Sequence, residues 1–286
     1  MNLKDFFYDL PEELIAQHPI QNRSDSRMMF LDRLTGALKH RRFCEIASFL
    51  SPGDCLVIND SKVMPARLMG FASSSASSSK KIEILLHKRL DEKRWEVLAK
   101  PGKKVREGDV VIFGDGSLAA RIEEVKDNGL RVAAFEYEGV FEALLDKFGE
   151  MPLPHYIKTN LDESVARQRY QTIYAAHLGS VAAPTAGLHF TDEIMREITG
   201  MGVQVARVTL HVGLGTFRPV KTENIAEHHM HSEYCRIEKD QADIINNAKM
   251  RGKRVIAVGT TSCRTLESRA CSNGMVSPGS DRKSVV

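Results

Sequence analysis

The sequence predicts an α/β fold that is interrupted by an inserted all-β domain. Helical and strand patterns alternate after about residue 140, and this alternation is typical of α/β proteins. Between about residues 70 and 150, short strand-like runs follow one another at the spacing of a small antiparallel barrel or sandwich. We therefore predict an α/β domain made of residues 1–69 and 151–280, with the all-β domain inserted at residues 70–150.

Before the insert, the sequence predicts two short helices, a hairpin and one buried strand. A short capped helix is predicted at Asp9–Ala16, with Pro11 in its first turn, and Phe43–Leu50 is predicted to form another helix. The residues Asp32–Gly36 have the composition of a hairpin turn. The apolar run Cys55–Ile58 predicts a buried strand, and the polar residues Asn59–Ser61 follow it. Polar groups in that position often face the functional site of an α/β sheet.

Turn residues, periodicity and capping predict the remaining elements. Glycine-containing turns separate the strands of the insert. Thr191 is a suitable N-cap, because acidic residues occupy the first turn after it. The predicted strands are 81–86, 95–100, 110–113, 119–125, 130–137, 203–212 and 254–258, and the predicted helices are 140–148, 191–199, 239–250 and 261–270.

Composition and charge limit the environment of the protein more than its function. A formal net charge of +3 and a pI of about 8.5 permit a nucleic-acid partner without requiring one. The five cysteines are scattered and form no C-x-x-C pair, so we expect no disulfide framework, no cysteine-rich zinc site and a reduced, cytosolic setting. The N-terminal segment carries acids where a signal peptide is apolar, and no apolar run reaches the roughly 20 residues of a membrane span.

The stretch Gly179–Glu233 carries most of the candidate functional residues. Its glycines and other small residues suit a pocket whose walls are partly main chain. The loop with Thr185, Gly187 and His189 leads into the helix predicted at Thr191. Free N–H groups at a helix N-terminus favour an anion such as a carboxylate or phosphate, so His189 is predicted to lie at the mouth of an anion site. The alternative is a tight loop with a structural histidine.

A second candidate, His211, lies at the predicted end of a strand, and Gly213 and Gly215 follow it. The pattern is not a G-x-G-x-x-G fingerprint, because Arg218 occupies the third glycine position. A dinucleotide site is therefore not indicated, whereas a glycine-lined pocket for a smaller nucleoside stays open. A structural role for His211 is the alternative.

The turn at Thr260 and Thr261 follows a buried strand and opens a helix that contains Arg264. Backbone N–H groups and hydroxyls at such a turn predict a cradle for an anion. The turn lacks the lysine and glycine spacing of a P-loop. The alternative is an ordinary capped helix in which Arg264 pairs with a nearby acid.

A metal site is one further possibility. His229, His231 and Glu233 would share one face of a strand, and imidazole and carboxylate are suitable metal ligands. The alternative is a polar segment that faces solvent or RNA.

Basic clusters, among them Lys39–Arg42 and Arg167–Arg169, would form a phosphate track if they converged on one surface. Tyr170 and Tyr174 would either stack a splayed base or pack in the core.

Different short motifs are distributed along almost the whole chain, and their combination indicates a family. They are Asp9-Leu10-Pro11, Pro52-Gly53-Asp54 with Asn59-Asp60, Pro65-Ala66-Arg67, Met151–Pro154, Arg169–Thr172, Gly179–Thr191, Thr209–Val220, His228–Glu233 and Val258–Glu267. With these motifs the chain resembles the S-adenosylmethionine:tRNA ribosyltransferase-isomerases of queuosine biosynthesis. The pair Gly179–Thr191 and Thr209–Val220 is the most specific part of the resemblance.

The resemblance implies a fold, a reaction and partners. The implied fold is a large, barrel-like α/β domain with an inserted β-barrel. The implied reaction transfers the ribosyl part of S-adenosylmethionine to 7-aminomethyl-7-deazaguanine at the tRNA wobble position, and it isomerises that ribosyl part to give epoxyqueuosine, adenine and methionine. S-adenosylmethionine is thus a co-substrate, no metal is expected, and we expect a cytoplasmic monomer without a membrane partner.

Reaction chemistry suggests roles for the candidate residues. The sulfonium acidifies the hydrogens on the neighbouring ribose carbon, and a histidine is a natural base near neutral pH, so His189 and then His211 are the candidate bases. Asp60 is a candidate for holding ribose hydroxyls or the amine. Arg264 and the Thr260–Thr261 turn are candidates for the methionine carboxylate. The alternatives are a tRNA-binding fragment without catalysis and a metal-dependent hydrolase or lyase that uses His229, His231 and Glu233.

The C-terminal end departs from the family pattern. The match continues to Ser280, whereas family members run on for several dozen residues. The last six residues, 281–286, can be encoded by a sequencing-adapter string. We therefore expect residues 281–286 to be a non-native tail and the second part of the α/β domain to be incomplete.

Overall fold

The computed structural model describes residues 1–73, 81–158, 161–213, 215, 220, 222–228 and 232–283. The strands in this part of the chain are β1 (Arg27–Leu31), β2 (Leu38–Arg42), β3 (Cys55–Asn59), β4 (Ser61–Val63), β5 (Arg67–Ala72), β6 (Lys81–Arg89), β7 (Arg94–Lys100), β8 (Val110–Phe113), β9 (Leu118–Val125), β10 (Arg131–Tyr137), β11 (Gly149–Glu150), β12 (His177–Ser180), β13 (Gln204–Leu210), β14 (Glu233–Ile237), β15 (Val255–Ala257) and β16 (Gly279–Lys283). The α-helices are α1 (Phe141–Phe148), α2 (Glu163–Arg169), α3 (Asp192–Gly200), α4 (Lys239–Met250) and α5 (Gly259–Ser268).

One compact unit, the barrel unit, consists of Val63–Pro154 and Asp162–Arg167. Its strands follow the order β11-β5-β6-β7-β10-β9-β8, and β8 also pairs with β5, so six strands close into an antiparallel barrel. Alternate side chains fill the interior, as Phe113 and Phe135 illustrate with their rings stacked 6.4 Å apart.

The second compact unit, the α/β unit, consists of Met1–Lys62, His155–Leu161 and Gln168–Val286. Its main sheet has the order β15-β3-β13-β14-β16 and is open in the described part of the chain. Strand β3 is parallel to β15 and to β13, whereas β14 is antiparallel to both of its neighbours. The predicted fold class, an α/β part with an inserted β-barrel, is confirmed. The domain ends given above stay a prediction.

Both faces of this sheet are covered, and β3 shows how. Leu56 and Ile58 point to one face, where they pack in a cluster with Ile198 of α3. Cys55 and Val57 belong to the cluster on the other face, which includes residues of α4. A strand that is buried on both faces reads as an unbroken apolar run, which is why the sequence predicted it.

Two predicted helices differ from the structure. In place of a helix at Asp9–Ala16 there is a 3-10 turn at Glu12–Leu14, and Phe43–Phe49 is a 3-10 helix as well. Both segments are too short to be stable α-helices on their own, so packing decides their form. By contrast, α3 begins after Thr191 as predicted, and the N–H of Ile194 donates to the Thr191 hydroxyl at 3.3 Å.

Three smaller features complete the α/β unit. Strands β1 and β2 form a hairpin around the predicted Asp32–Gly36 turn, and β4 pairs with β12. Strand β16 pairs with β14 and contains the first three residues of the predicted non-native tail. That the tail is non-native stays a prediction. None of the helices in the described ranges is long and apolar enough to cross a membrane.

Candidate active site

The carboxyl ends of three parallel strands meet at one edge of the α/β unit's sheet. At this edge β3 is followed by Asp60 and Ser61, β13 by His211, and β15 by the start of α5 at Gly259. Along the chain, β3 is followed by β13 on one of its sides and later by β15 on its other side. The order of the parallel strands therefore reverses at β3. Open α/β sheets bind ligands in the crevice at such a point.

Asn59 fixes the ends of β3 and β13 to each other. Its side-chain nitrogen donates to the carbonyl of Leu210 at 3.1 Å, and its side-chain oxygen accepts from the N–H groups of Leu210 and Ser61 at 3.0 and 3.1 Å. The side chain is fully buried, so all three bonds are shielded from water. This amide sets the relative positions of the residues that follow the two strands.

His211 lies at the end of a chain of hydroxyl groups. Its Nδ1 is 2.8 Å from the Ser61 hydroxyl, and that hydroxyl is 2.6 Å from the hydroxyl of Ser180. Tyr234 stacks on the imidazole at 5.5 Å between ring centroids. A Cβ placed on Gly179 would lie 2.7–2.8 Å from three ring atoms, so only glycine lets the backbone press on the ring face.

The environment of His211 keeps its ring neutral. The pKa of His211 is lowered from 6.5 to about 4, chiefly by burial and also by electrostatic interaction with His177 and Arg282. The unfolded chain therefore binds a proton at this residue between pH 6.5 and about 4, while the folded chain does not. Linkage then requires that stability be lost as the pH falls through this window.

We expect this loss to disappear when His211 is replaced by Gln. Thermal unfolding followed at pH 7 and pH 5 should show a larger drop in midpoint for the wild-type chain than for His211→Gln. Asp60 titrates with the opposite sign, so the comparison between the two chains, and not the wild-type drop alone, is the test. Equal drops of the unfolding midpoint in the two chains would contradict a lowered pKa of His211.

Asp60 is a buried carboxylate with few partners. The hydroxyl of Thr209 donates to its Oδ1 at 2.7 Å, and Nε2 of the exposed His177 lies 3.6 Å from its Oδ2. Burial raises the pKa of Asp60, although Thr209, His177 and Arg207 oppose the rise. A carboxylate with a raised pKa near a cluster of polar groups is typical of a functional site.

His189 ends the short 3-10 helix Thr185–His189, which precedes the N-cap of α3, Thr191. Its ring packs on Phe43 at 5.2 Å between centroids. Burial lowers the pKa of His189, and a hydrogen bond to the backbone of Arg23 partly offsets this. A neutral imidazole carries a lone pair on one ring nitrogen, so His189 has the chemistry of a base.

Packing accounts for the glycine at position 187 of the same loop. A Cβ at Gly187 would lie 2.3 Å from the Tyr174 hydroxyl oxygen and 2.8 Å from a methyl carbon of Thr172. We expect Gly187→Ala to lower the free energy of unfolding by about 1–3 kcal/mol, because a well-packed interior resists an added methyl group. Chemical denaturation measures the change. Gly200→Ala is the matched control, since a Cβ there meets nothing within 4 Å. If the two variants were equally stable, the packing argument would fail.

The loop with Thr185 contacts the N-terminus of α5. A Cβ at Gly259 would lie 3.1 Å from Cβ of Ala186, so the two predicted anion-binding segments are adjacent. Thr185 and Thr260 are exposed, whereas the hydroxyl oxygen of Thr261 is buried without a hydrogen-bond partner among the described residues. A buried hydroxyl of this kind at a helix N-terminus suits a ligand oxygen.

Arg264 forms an ion pair within the protein. Its Nη1 donates to Oε2 of Glu233 at 2.6 Å, and the other carboxylate oxygen of Glu233 accepts from the N–H of Gly213 at 2.9 Å. Arg264 thus pairs with an acid, as the alternative considered for it expected, but Glu233 is 31 positions away in the sequence and is not a local partner. Gly215 is half-buried in the structure.

The metal alternative gains no support. His229 and His231 lie outside the described residues, and Glu233 already binds Arg264 and Gly213 through its two oxygens. No group of three or more potential ligands for a metal ion occurs in the part of the chain that the structure describes.

The possibility that Tyr170 and Tyr174 stack a base is wrong, because both side chains are buried in the core. The neighbouring Arg169 donates to the carbonyls of Ile20 and Gln21. This segment thus stabilises the fold through backbone contacts.

Sequence reasoning noted Asn59 and Ser61 only as polar residues after a buried strand, and it did not single out Ser180 and Thr209 as site residues. The available signal was their position, because three of them lie in or directly after the buried strands and Ser180 lies in the glycine-rich stretch.

This geometry defines a class of protein, an α/β protein with a cluster of polar residues at the carboxyl edge of its sheet. Comparison with known proteins gives the family. The family model of the queuosine biosynthesis proteins matches residues 3–284, nearly the whole chain. The chain therefore belongs to this family.

Relatives named S-adenosylmethionine:tRNA ribosyltransferase-isomerase support the assignment. The relative from Acetivibrio thermocellus is 52% identical over 280 residues, covering 98% of this chain and 80% of the relative. The relative from Clostridioides difficile is 52% identical over 274 residues, covering 96% of this chain and 79% of the relative. A crystal structure of S-adenosylmethionine tRNA ribosyltransferase from Thermotoga maritima is 34% identical and covers 92% of this chain and 72% of that chain, with a TM-score of 0.42.

Proposed function

We propose that this chain is an S-adenosylmethionine:tRNA ribosyltransferase-isomerase. It transfers the ribosyl part of S-adenosylmethionine to the aminomethyl group of 7-aminomethyl-7-deazaguanine at the tRNA wobble position, and it isomerises that part to the epoxycyclopentanediol of epoxyqueuosine. Adenine and methionine are released. The observation that carries the proposal is the family match over residues 3–284.

Each candidate residue has a role in this reaction. His189 is the base that removes a proton from the ribose carbon next to the sulfonium, since one of its ring nitrogens keeps a lone pair. Asp60 holds ribose hydroxyls or the amine through its buried carboxylate. The adjacent segments at Thr185–Gly187 and Thr260–Thr261 bind the methionine carboxylate of the co-substrate. Gly213 and Gly215 let the backbone approach the nucleoside.

The tRNA partner, a cytoplasmic location and a monomeric state belong to the same proposal.

For tRNA binding, the exposed hairpin strand β2 offers the basic side chains of Lys39 and Arg41. We expect Lys39→Ala combined with Arg41→Ala to weaken tRNA binding and to lower the slope of log affinity against log salt by about 1 per lost phosphate contact. Filter binding at several salt concentrations measures this slope. Arg196→Ala, at another exposed arginine that pairs with Glu193, is the control. An unchanged slope in the double variant would remove the hairpin from the tRNA surface.

Adenine release tests the proposed function. The purified chain is incubated with S-adenosylmethionine and either tRNA that carries 7-aminomethyl-7-deazaguanine or the same tRNA with guanine at that position. We expect adenine only with the first tRNA. Adenine release that does not depend on tRNA, or no release with either tRNA, would contradict the proposal.

A further inference from the structure

We propose that Ser61 and Ser180 hold His211 in the neutral tautomer that carries its proton on Nε2, so that His211 meets the substrate as a hydrogen-bond donor. The two serines are positioning residues, and His211 is the residue that touches substrate. The tautomer follows from hydrogen bonds within this chain alone. The role toward substrate rests on the proposed function.

The direction of the hydrogen bonds is fixed at Ser180. The N–H of Val212 donates to the Ser180 oxygen at 2.9 Å, and a backbone amide cannot act as acceptor there. The hydroxyl hydrogen of Ser180 therefore needs an acceptor of its own. Ser180 is fully buried, and its one other partner among the described residues is the Ser61 hydroxyl at 2.6 Å.

Only one arrangement satisfies every hydrogen in this chain. If Ser180 donates to Ser61, then Ser61 donates to Nδ1 of His211, and each hydroxyl hydrogen has an acceptor. In the reverse arrangement Nδ1 donates to Ser61 and Ser61 donates to Ser180. The Ser180 hydrogen is then buried without an acceptor in the described part of the chain, and burying an unpaired donor is unfavourable.

With Nδ1 as an acceptor, a neutral ring carries its proton on Nε2. Burial lowers the pKa of His211 to about 4, and His177 and Arg282 contribute to the lowering, so the ring is neutral at pH 7. Both lone-pair positions are then occupied, one by the Ser61 hydroxyl and one by the proton. His211 therefore has no free lone pair that faces the substrate, and this leaves proton abstraction to His189.

A fixed N–H donor suits a group that gains negative charge during the reaction. Loss of adenine from the ribosyl carbon leaves the bonding electron pair on the base, whose ring nitrogens are hydrogen-bond acceptors. Donors aimed at such developing charge contribute strongly to catalysis, because they need no reorganisation. We assign His211 Nε2–H to this leaving group. The ring is held for that task by Tyr234 and by the backbone of Gly179.

The tautomer is tested by nuclear magnetic resonance on the whole chain with 15N-labelled histidine. Two-bond correlations between ring protons and nitrogens at pH 7 report which nitrogen is protonated, and the signals of His211 are identified by their absence in His211→Gln. We expect an unprotonated Nδ1 and a protonated Nε2. In Ser61→Ala the ring should become a mixture of tautomers, whereas Ser268→Ala, which removes a half-buried hydroxyl on α5, should leave it unchanged. A proton on Nδ1 in the wild-type chain would overturn the proposal.

The donor role is tested by turnover of His211 variants. The side-chain amide of Gln places an N–H near the position of Nε2 but cannot accept a proton. We expect His211→Gln to keep kcat within about tenfold of wild type, and His211→Ala to lower it about 10²–10³-fold, the loss typical of one missing donor. Equal losses in the two variants would refute the donor role. If the wild-type chain released no adenine, the proposed function would fail, while the tautomer would still be decided by the spectra.

Discussion

Replacing His189 by Ala is expected to lower kcat for adenine release by about 10²–10⁴-fold, the usual contribution of a positioned acid or base. The pKa of His189 is lowered by burial, so its ring is neutral at pH 7, and one nitrogen of a neutral imidazole has a lone pair that accepts a proton. The loss should lie in kcat, because the variant removes a proton acceptor and not a binding contact. Steady-state kinetics with modified tRNA measures it.

The pH dependence of activity should follow the lowered pKa of His189. Burial lowers the pKa of His189, so the neutral, base-competent ring persists below the ordinary histidine pKa of 6.5. Activity should therefore fall on the acid side only as the pH drops through that lowered pKa. His18→Ala, at an exposed histidine of the same unit, is the control and should turn over like wild type. Near-normal kcat in a folded His189→Ala would remove His189 from the reaction.

The second large effect is on stability and concerns Glu233. Glu233→Ala is expected to lower the free energy of unfolding by about 3–5 kcal/mol, because it removes one partner of a largely buried ion pair, the carboxylate to which Nη1 of Arg264 donates. The two side chains are only 9% and 18% exposed, and the same carboxylate also accepts from the N–H of Gly213. Urea denaturation followed by circular dichroism measures the change.

An exposed ion pair provides the matched control. Asp243 pairs with Lys239 on the surface of α4, where the two side chains are 55% and 81% exposed. Asp243→Ala should change the free energy of unfolding by at most about 1 kcal/mol, since water and salt screen such pairs. If Glu233→Ala cost no more than Asp243→Ala, the ion pair would not stabilise this part of the fold.

The sequence predicted those parts of the fold that depend on local pattern. Strand β3 was visible because a strand buried on both faces is apolar throughout, and α3 because Thr191 caps it. The barrel strands were visible from their glycine-containing turns. The short segments near Glu12–Leu14 and Phe43–Phe49 were mistaken for α-helices, because their form depends on packing that a local pattern does not contain.

The arrangement of the candidate site was less accessible to sequence reasoning. Asp60 and His211 were selected because each follows a strand, but the bond from Ser61 to Ser180 joins residues 119 positions apart. No spacing rule predicts such a contact. The same holds for Arg264, since only the fold brings Glu233 to its guanidinium. The burial of Tyr170 and Tyr174 likewise follows from tertiary packing.

The fate of labelled S-adenosylmethionine tests the proposed reaction most directly. The chain is incubated with modified tRNA and with S-adenosylmethionine labelled either in the ribose or in the methyl group, and the label in the recovered tRNA is counted. We predict that the ribose label enters the tRNA and the methyl label does not, and that His189→Ala abolishes the transfer. Entry of the methyl label, or of neither label, would contradict the assignment of ribosyl transfer to this chain.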